Sequence, residues 1–427
     1  MKRFVLLIAV ALFTLSAVPA LAADYEVPPI LKAKDFLPAD LLKGAHHEVE
    51  AQVTNDGYMN QYTIVSDFGT FKAKSTAMAR RRIHEMGGIA KLKELSQTEA
   101  FANALAASAT KTLKTAGQVV ADPVGTVKGL PGGVSKMFKR MALKGEQVVD
   151  KTGEIIAKQG EEGGGGGEEK VDKAVDAGKD LVGVNKAKRG LAKRVSVDPY
   201  STNKILQEEL ERLAWAAFGG GFALDQATSA VPLAGEVTQV SNAVWDSNPA
   251  DLEVTGREKM AKMGVPKEEI DAFYRAPHLT TTSRTALVAL LEKLKGVEGL
   301  PVMVRLASKL EGAEEAGFFV ASCVLLEKYH EAHGPLKKIL AGPVMPRGAK
   351  VDGTLVLAFA LDYLVWTKDI AAAATKIDGT AKSDASLEKV EIWVAGSLSS
   401  RSKDEIAALG WAIHEKAAEK LGIQPPR

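Results

Sequence analysis

The chain has 427 residues, 46% of them apolar, and a single cysteine. That length and apolar content can bury two sizeable cores, and one thiol excludes an internal disulfide as the means of holding them. The formal net charge of +2 conceals an uneven spread: residues 72–144 carry 14 Lys and Arg against 4 Asp and Glu, whereas 195–427 carry 26 against 31. A basic arm is attached to a mildly acidic body.

At the start, Lys2 and Arg3 precede an apolar run from Phe4 to Val18, and Ala20-Leu21-Ala22 has the small-x-small form of a signal-peptidase site. The run is about 15 residues, short of the roughly 20 that a spanning helix needs. Residues 1–22 are therefore expected to be a signal peptide cut after Ala22, which places the mature chain in the periplasm or outside the cell. No cysteine follows the cut to carry a lipid. In the segment 23–74, HEVEAQVT and YMNQYTIV alternate by twos on either side of Asn55-Asp56-Gly57. This predicts a β-hairpin, with Phe68 to Lys72 as a third strand.

The period becomes helical at Ser75, through Met78, Arg82, Met86 and Ile89, with Gly87-Gly88 weakening the middle. Ser96 followed by Glu99 has the form of a capping box and predicts a new helix through Phe101 and Leu105. The rest of the basic helical arm, 75–160, is dominated by KTLKTAGQVVADPVGTVKGLPGGVSKMFKR, residues 111–140. At about 100° per residue, Leu113, Ala116, Val120, Val124, Val127, Val134 and Phe138 fall on one stripe. Lys111, Lys114, Lys136, Lys139 and Arg140 fall on the other side, with Lys128 at its margin, and Pro123 and Pro131 divide the stretch into bent segments.

An apolar stripe under a lysine cover is the pattern of an interfacial helix drawn to anionic lipid. In composition, with valine, glycine and lysine recurring, the stretch resembles the amphipathic segments of lipid-associated proteins. The candidate contact surface is Lys111, Lys114, Val127, Lys128, Val134, Lys136, Phe138, Lys139 and Arg140, with an anionic lipid surface or an acidic envelope partner opposite it. Nucleic acid is not expected, because an exported protein rarely meets it. The alternative is that the stripe packs on neighbouring helices and the lysines face solvent.

Five glycines between glutamates, EEGGGGGEE at 161–169, form a flexible acidic linker. In 170–194, Val171, Ala174, Val175, Leu181 and Val182 recur among Lys173, Lys179, Lys186, Lys188 and Arg189, predicting a second basic amphipathic helix that acts with the first. From 195 to 427 the composition is that of a mainly helical domain. ILQEELERLAWAAF reads as a helix capped near Ser201, Asn248-Pro249 and Val265-Pro266 start short helices, and SRTALVALLEKLKG and VMVRLASKLEGAEEAGFFVASCVLLEKYHEAHG are the longest helical runs. Strands return after Pro335 with LVLAF and EIWVAG, helices lie in DYLVWTKDIAAAATKI and SLSSRSKDEIAALG, and WAIHEKA is either strand or helix. The predicted fold is mainly α with minor β, an α+β chain ending in a small α/β element.

Catalytic signatures are few. The chain has no G-x-S-x-G elbow, no G-x-x-x-x-G-K-[ST] phosphate loop and no H-E-x-x-H helix. Gly219 to Gly221 lacks the preceding strand and the spaced third glycine of a dinucleotide site, so no cofactor is expected. Cys323 lies among apolar residues and reads as a buried spacer. Glu327, His330 and His333, spaced by threes, are the candidate metal ligands, to be completed by His278 or Asp362. The competing reading is a helix C-terminus where histidines favour the dipole. His46-His47-Glu48 repeats the pattern at the hairpin. Leu213-Ala214-Trp215, Tyr363 to Trp366 and Ile392-Trp393-Val394 line either a ligand pocket or a core. The functional expectation is an exported, non-enzymatic binding or scaffold protein. The alternative is an enzyme or small-ligand binder with its pocket in residues 196–427.

Overall fold

The structure, a computed structural model, describes residues 25–99, 101–103, 183–220 and 238–423. Its fold is mixed α+β. The alternating N-terminal segment builds a sheet of β1 (Ile30–Lys32), β2 (Lys43–Gly44), β3 (His47–Val49), β4 (Gln52–Asn55), β5 (Asn60–Ser66) and β6 (Gly69–Ala73), with a single helical turn, α1 (Ala39–Leu42), before β2. HEVEAQVT is two strands, not one: β3 and β4 both pair antiparallel with β5, and the ladder is interrupted between them. The hairpin turn forms where expected. Gly57, at φ +99°, donates its N–H to Asn55 Oδ1 at 2.6 Å, and Met59 N donates to Asp56 Oδ1 at 2.8 Å.

One face of this sheet buries Val53, Tyr62 and Ile64 against Ala79, Ile83 and Met86 of α2 (Thr76–Ser96). Ser75 caps that helix by accepting from Met78 N. Gly88 does not weaken it: a Cβ there would lie 2.5 Å from Val197 Cγ1, so the glycine admits a close crossing. The capping box at Ser96 does not form. Its hydroxyl turns back to donate to Lys93 O at 2.6 Å, and Thr98 instead accepts from Phe101 N.

The helical layer comprises α3 (residues 183–194), α4 (Lys204–Gly220), α5 (Thr238–Asp246), α6 (Pro249–Lys262), α7 (Lys267–Arg275), α8 (Thr281–Lys293), α9 (Pro301–Ala307) and α10 (Ala313–Ala332). Asn248 caps α6 as the sequence predicts. The cap of α4 is Asn203, which accepts from Leu206 N, while Ser201 joins a buried network. The apolar run 302–334 is two helices because Gly312 begins α10, and Glu315 of that helix accepts from Glu311 N at 3.0 Å. Among the described residues no helix is long and apolar enough to cross a membrane.

The cores do not divide where the composition does. Ile89 and Leu92 of α2, from the basic side of the linker, share a core with Leu206, Leu210 and Leu213 of α4 and with Trp245 of α5. Within the second basic segment, Val184, Leu191 and Ala192 of α3 are buried in the same core, and Lys188 and Lys193 pair with Glu211 and Asp246. The described part of that helix spends its apolar face inside the protein.

The chain ends in a five-stranded mixed sheet: β7 (Leu336–Ala341), β8 (Pro346–Lys350), β9 (Thr354–Phe359), β11 (Lys389–Val394) and β13 (Ala412–His414), in the order β13-β11-β9-β8-β7. A short parallel pair, β10 (Tyr363–Leu364) and β12 (Ser397–Leu398), lies beyond it. β9, β11 and β13 are parallel, joined through α11 (Lys368–Ser383) and α12 (Ser400–Ala408), and α13 (Ala417–Lys420) follows. All six residues of β9 are buried, as a central parallel strand covered on both faces requires. WAIHEKA thus supplies the edge strand β13 and the start of α13.

The N-terminal sheet docks on the C-terminal ends of these parallel strands. Asp362, three residues past β9, accepts from Asn60 N at 3.0 Å and from Thr76 N, the first residue of α2, at 2.9 Å. Both bonds and the helix dipole favour the charged carboxylate, yet burial outweighs them and raises its pKa to about 6. Between about pH 4 and pH 6 the folded chain holds a proton that the unfolded chain releases. The stability Asp362 contributes is therefore complete below about pH 4 and lost as pH rises through 6, by up to about 3 kcal/mol. Urea titrations from about pH 4 to pH 7 should show this slope, and Asp362→Asn should flatten it. An identical slope in the variant would assign the pH dependence to other groups.

Candidate functional site

Residues two apart on a strand share a face, so Glu391 and Trp393 of β11 project together. The parallel register sets Trp393 beside His414 of β13, and the two rings stack with centroids 4.0 Å apart at 12°. The last turn of α10 supplies Tyr329, edge-on to Trp393 at 5.2 Å, and His333, just past that helix, lies 4.6 Å from Trp393. Lys350, at the end of β8, and Lys420, at the end of α13, complete the rim of an open cleft of about 490 Å³.

One oxygen of the carboxylate in this cleft is already committed. Glu391 Oε2 accepts from Tyr329 Oη at 3.1 Å and from Trp393 Nε1 at 3.0 Å, and lies 3.9 Å from His414 Nε2. Burial and the neighbouring Glu391 push the Tyr329 phenol above its ordinary range, so it stays a donor. Burial also lowers the His414 pKa, against the opposing pull of Glu391, with Lys420 and His333 pushing the same way as burial. His414 is therefore neutral at neutral pH.

Other groups around the cleft keep unused capacity. The ring nitrogens of His333 and the Nδ1 of His414 make no hydrogen bond among the described residues, and no carboxylate there lies within 4.0 Å of Lys420. Lys350 is 3.4 Å from the exposed Asp352, a weak pairing. No Ser, Thr or Cys lines the cleft, and its tyrosine is held by Glu391. The arrangement offers positive charge and donors over an aromatic floor, which suits holding a ligand more than attacking one.

The three candidate metal ligands go to three different neighbours. Glu327 is buried and its Oε1 pairs with Lys293 of α8 at 3.1 Å; His330 Nδ1 accepts from Leu336 N at 2.9 Å, closing the turn into β7; His333 alone reaches the cleft. At 100° per residue, positions 327 and 333 point well apart, and the turn after α10 takes the middle imidazole. Among the described residues no cluster of three His, Cys, Asp or Glu stands ready for a metal. Asp362 is engaged at the sheet dock, and His278 lies apart from the cleft lining. His46 pairs with Asp67, His47 Nε2 donates to Leu41 O, and Glu48 pairs with Lys43, so that second cluster also disperses.

Cys323 is fully buried, and burial pushes its thiol up, as a spacer requires. Of the tryptophan motifs, Trp366 is core and Trp215 lies half-exposed on α4; only Trp393 reaches the cleft. The candidate contact surface Lys111, Lys114, Val127, Lys128, Val134, Lys136, Phe138, Lys139 and Arg140 lies outside the described residues. Reasoning from sequence did not single out Tyr329, Lys350, Glu391, His414 or Lys420. The available signal was the alternation in EIWVAG, which puts Glu391 and Trp393 on one face. No family model, curated protein or solved structure matches the chain.

Proposed function

We propose that this is an exported, non-catalytic binding protein that holds a small ligand in the Trp393 cleft. The observation that carries the reading is the set of polar groups around the cavity, His333, His414 Nδ1 and Lys420, whose bonding capacity the protein does not use, above a floor where Tyr329 and Trp393 donate to Glu391 Oε2. A core cluster would satisfy its polar groups internally, whereas a binding site leaves them for its ligand. Export rests on the segment from Lys2 to Ala22, and surface association of 111–140 rests on its cation excess; both are readings of the sequence.

The test is fluorine NMR of the mature chain labelled with 5-fluorotryptophan. The chain has five tryptophans, and the Trp393 resonance is the one lost in Trp393→Phe. The probes are pyrophosphate, citrate, maltose and putrescine, which cover anionic, neutral and cationic chemistry. At least one should shift Trp393 while leaving Trp215, on a distant helix, in place. Trp393 unmoved by all four, at about 10 mM each, would overturn the cleft as a binding site, since weaker interactions fall below useful affinity.

A further inference from the structure

We propose that the ligand of the Trp393 cleft is a compact multivalent anion, held by Lys350 and Lys420 and, as pH falls, by His414 as well. This rests on the reading of the cleft as a binding site.

Lysine offers donors and no acceptor, and of the acceptors lining the cleft Glu391 Oε2 is engaged by Tyr329 and Trp393, which leaves Glu391 Oε1 and the imidazole nitrogens. A sugar would need acceptors matched to its hydroxyl donors, and the N–H donors of the two lysines outnumber the acceptors that the cleft keeps. An organic cation would need an unpaired carboxylate or an open aromatic face. Among the lining groups two lysines stand against one carboxylate, Glu391, and one face of Trp393 is taken by His414, so a cation meets net repulsion. What remains is positive charge: Lys420 without a carboxylate partner and Lys350 held only by Asp352 across 3.4 Å. They stand on different elements, α13 and β8, so a ligand with two or more anionic groups can use both.

His414 supplies the pH dependence. The charged or titratable groups facing His414 are Glu391 on β11, Lys420 on α13, and Tyr329 and His333 at the end of α10, with Lys350 and Asp352 across the rim on the β8 side. Glu391 favours the imidazolium, but burial and the nearby cations outweigh it, so the ring is neutral when the cleft is empty at neutral pH. A bound anion adds negative charge beside it and reverses that balance. Binding then takes up protons, and by linkage protonation tightens binding by the same factor. Carboxylate and phosphate groups share this chemistry, and citrate and pyrophosphate separate them.

The closing experiment is calorimetry of the mature chain with pyrophosphate and with citrate at about pH 5.5 and 7.5, alongside the Trp393 resonance. Between pH 7.5 and 5.5 at least one anion should gain about 10-fold more affinity for the wild type than for His414→Gln, which shares the ligand's own titration; that is the factor expected when binding raises the proton affinity of one imidazole tenfold. Its binding heat should vary with the buffer's ionisation heat, as proton uptake demands. Lys420→Ala, at an exposed site, should weaken binding about 10-fold, the loss of one close charge partner. If maltose or putrescine moves Trp393 and neither anion does, the cleft is a binding site and the anion inference falls. An equal pH response in wild type and His414→Gln, or binding unchanged in Lys420→Ala, overturns the inference as well. Silence from all four probes removes the underlying site.

Discussion

Glu85→Ala should lower the stability of this protein by about 3–5 kcal/mol, the range for stripping a buried ion pair of one partner. Glu85 is 1% exposed on α2 and is the hub of a closed polar network. Its carboxylate accepts from Arg82 Nη1 at 2.6 Å, from Asn203 Nδ2 at 2.9 Å and from the hydroxyl of Ser201, while Arg82 Nη2 donates to Thr202 Oγ1 at 2.7 Å. Removing the carboxylate leaves a guanidinium that is itself nearly buried without its counter-charge and frees the turn that caps α4. Glu85→Gln keeps an acceptor in place and should cost less, about 1–3 kcal/mol. Replacing both partners with apolar residues, Arg82→Met with Glu85→Leu, should recover most of the loss, since desolvation of the pair opposes its attraction. Urea unfolding followed by circular dichroism measures all three. A loss under about 1 kcal/mol for Glu85→Ala would mean that water reaches Arg82 and that the network is not sealed.

This network shows why the boundary drawn from composition is not a boundary of packing. Charge counts report which residues face water, and by that measure α2 belongs to the basic arm. Packing is decided by the other face, where Ile89, Leu92 and Glu85 meet residues more than a hundred positions away. Local signals were legible where the physics is local. Ser75 caps α2, Asn248 caps α6 and Asn55-Asp56-Gly57 turns the hairpin, because each bond spans only a few residues. Ser96 misled because a serine at a helix end has two local choices, forward to an amide or back to a carbonyl, and spacing does not distinguish them.

The cleft was legible only in fragments for the same reason. His333 stood out as a candidate metal ligand and Trp393 as one of three aromatic motifs, with no hint that they touch. Their meeting depends on α10 lying across β9, and the stack on His414 depends on β13 pairing parallel with β11 after a helical crossover. A one-residue slip in that register would turn His414 to the opposite face and remove it from the site.

Trp393→Ala should therefore have two effects of unequal origin. The first is on stability: the side chain is 2% exposed and packs among Tyr329, His333 and His414, so truncation should cost about 3–5 kcal/mol, the range for deleting a buried large aromatic. Part of that cost is polar, because Glu391 loses its indole donor and keeps only Tyr329 Oη. Trp393→Phe isolates that part. It retains most of the ring area, removes the donor, and should cost about 1–2 kcal/mol. The second effect is on the cleft. Without the indole, His414 has no surface to stack on and Glu391 loses a donor and faces the cleft more openly, so an anion should meet stronger repulsion. Affinity for pyrophosphate or citrate should fall by at least 10-fold in Trp393→Ala, one close charge repulsion, and by less than about 3-fold in Trp393→Phe. Measuring unfolding midpoints and affinities on the same two variants separates the roles. Equal binding by both would mean that the tryptophan serves the core alone and that the ligand rests on the rim, on Lys350, Lys420 and His333.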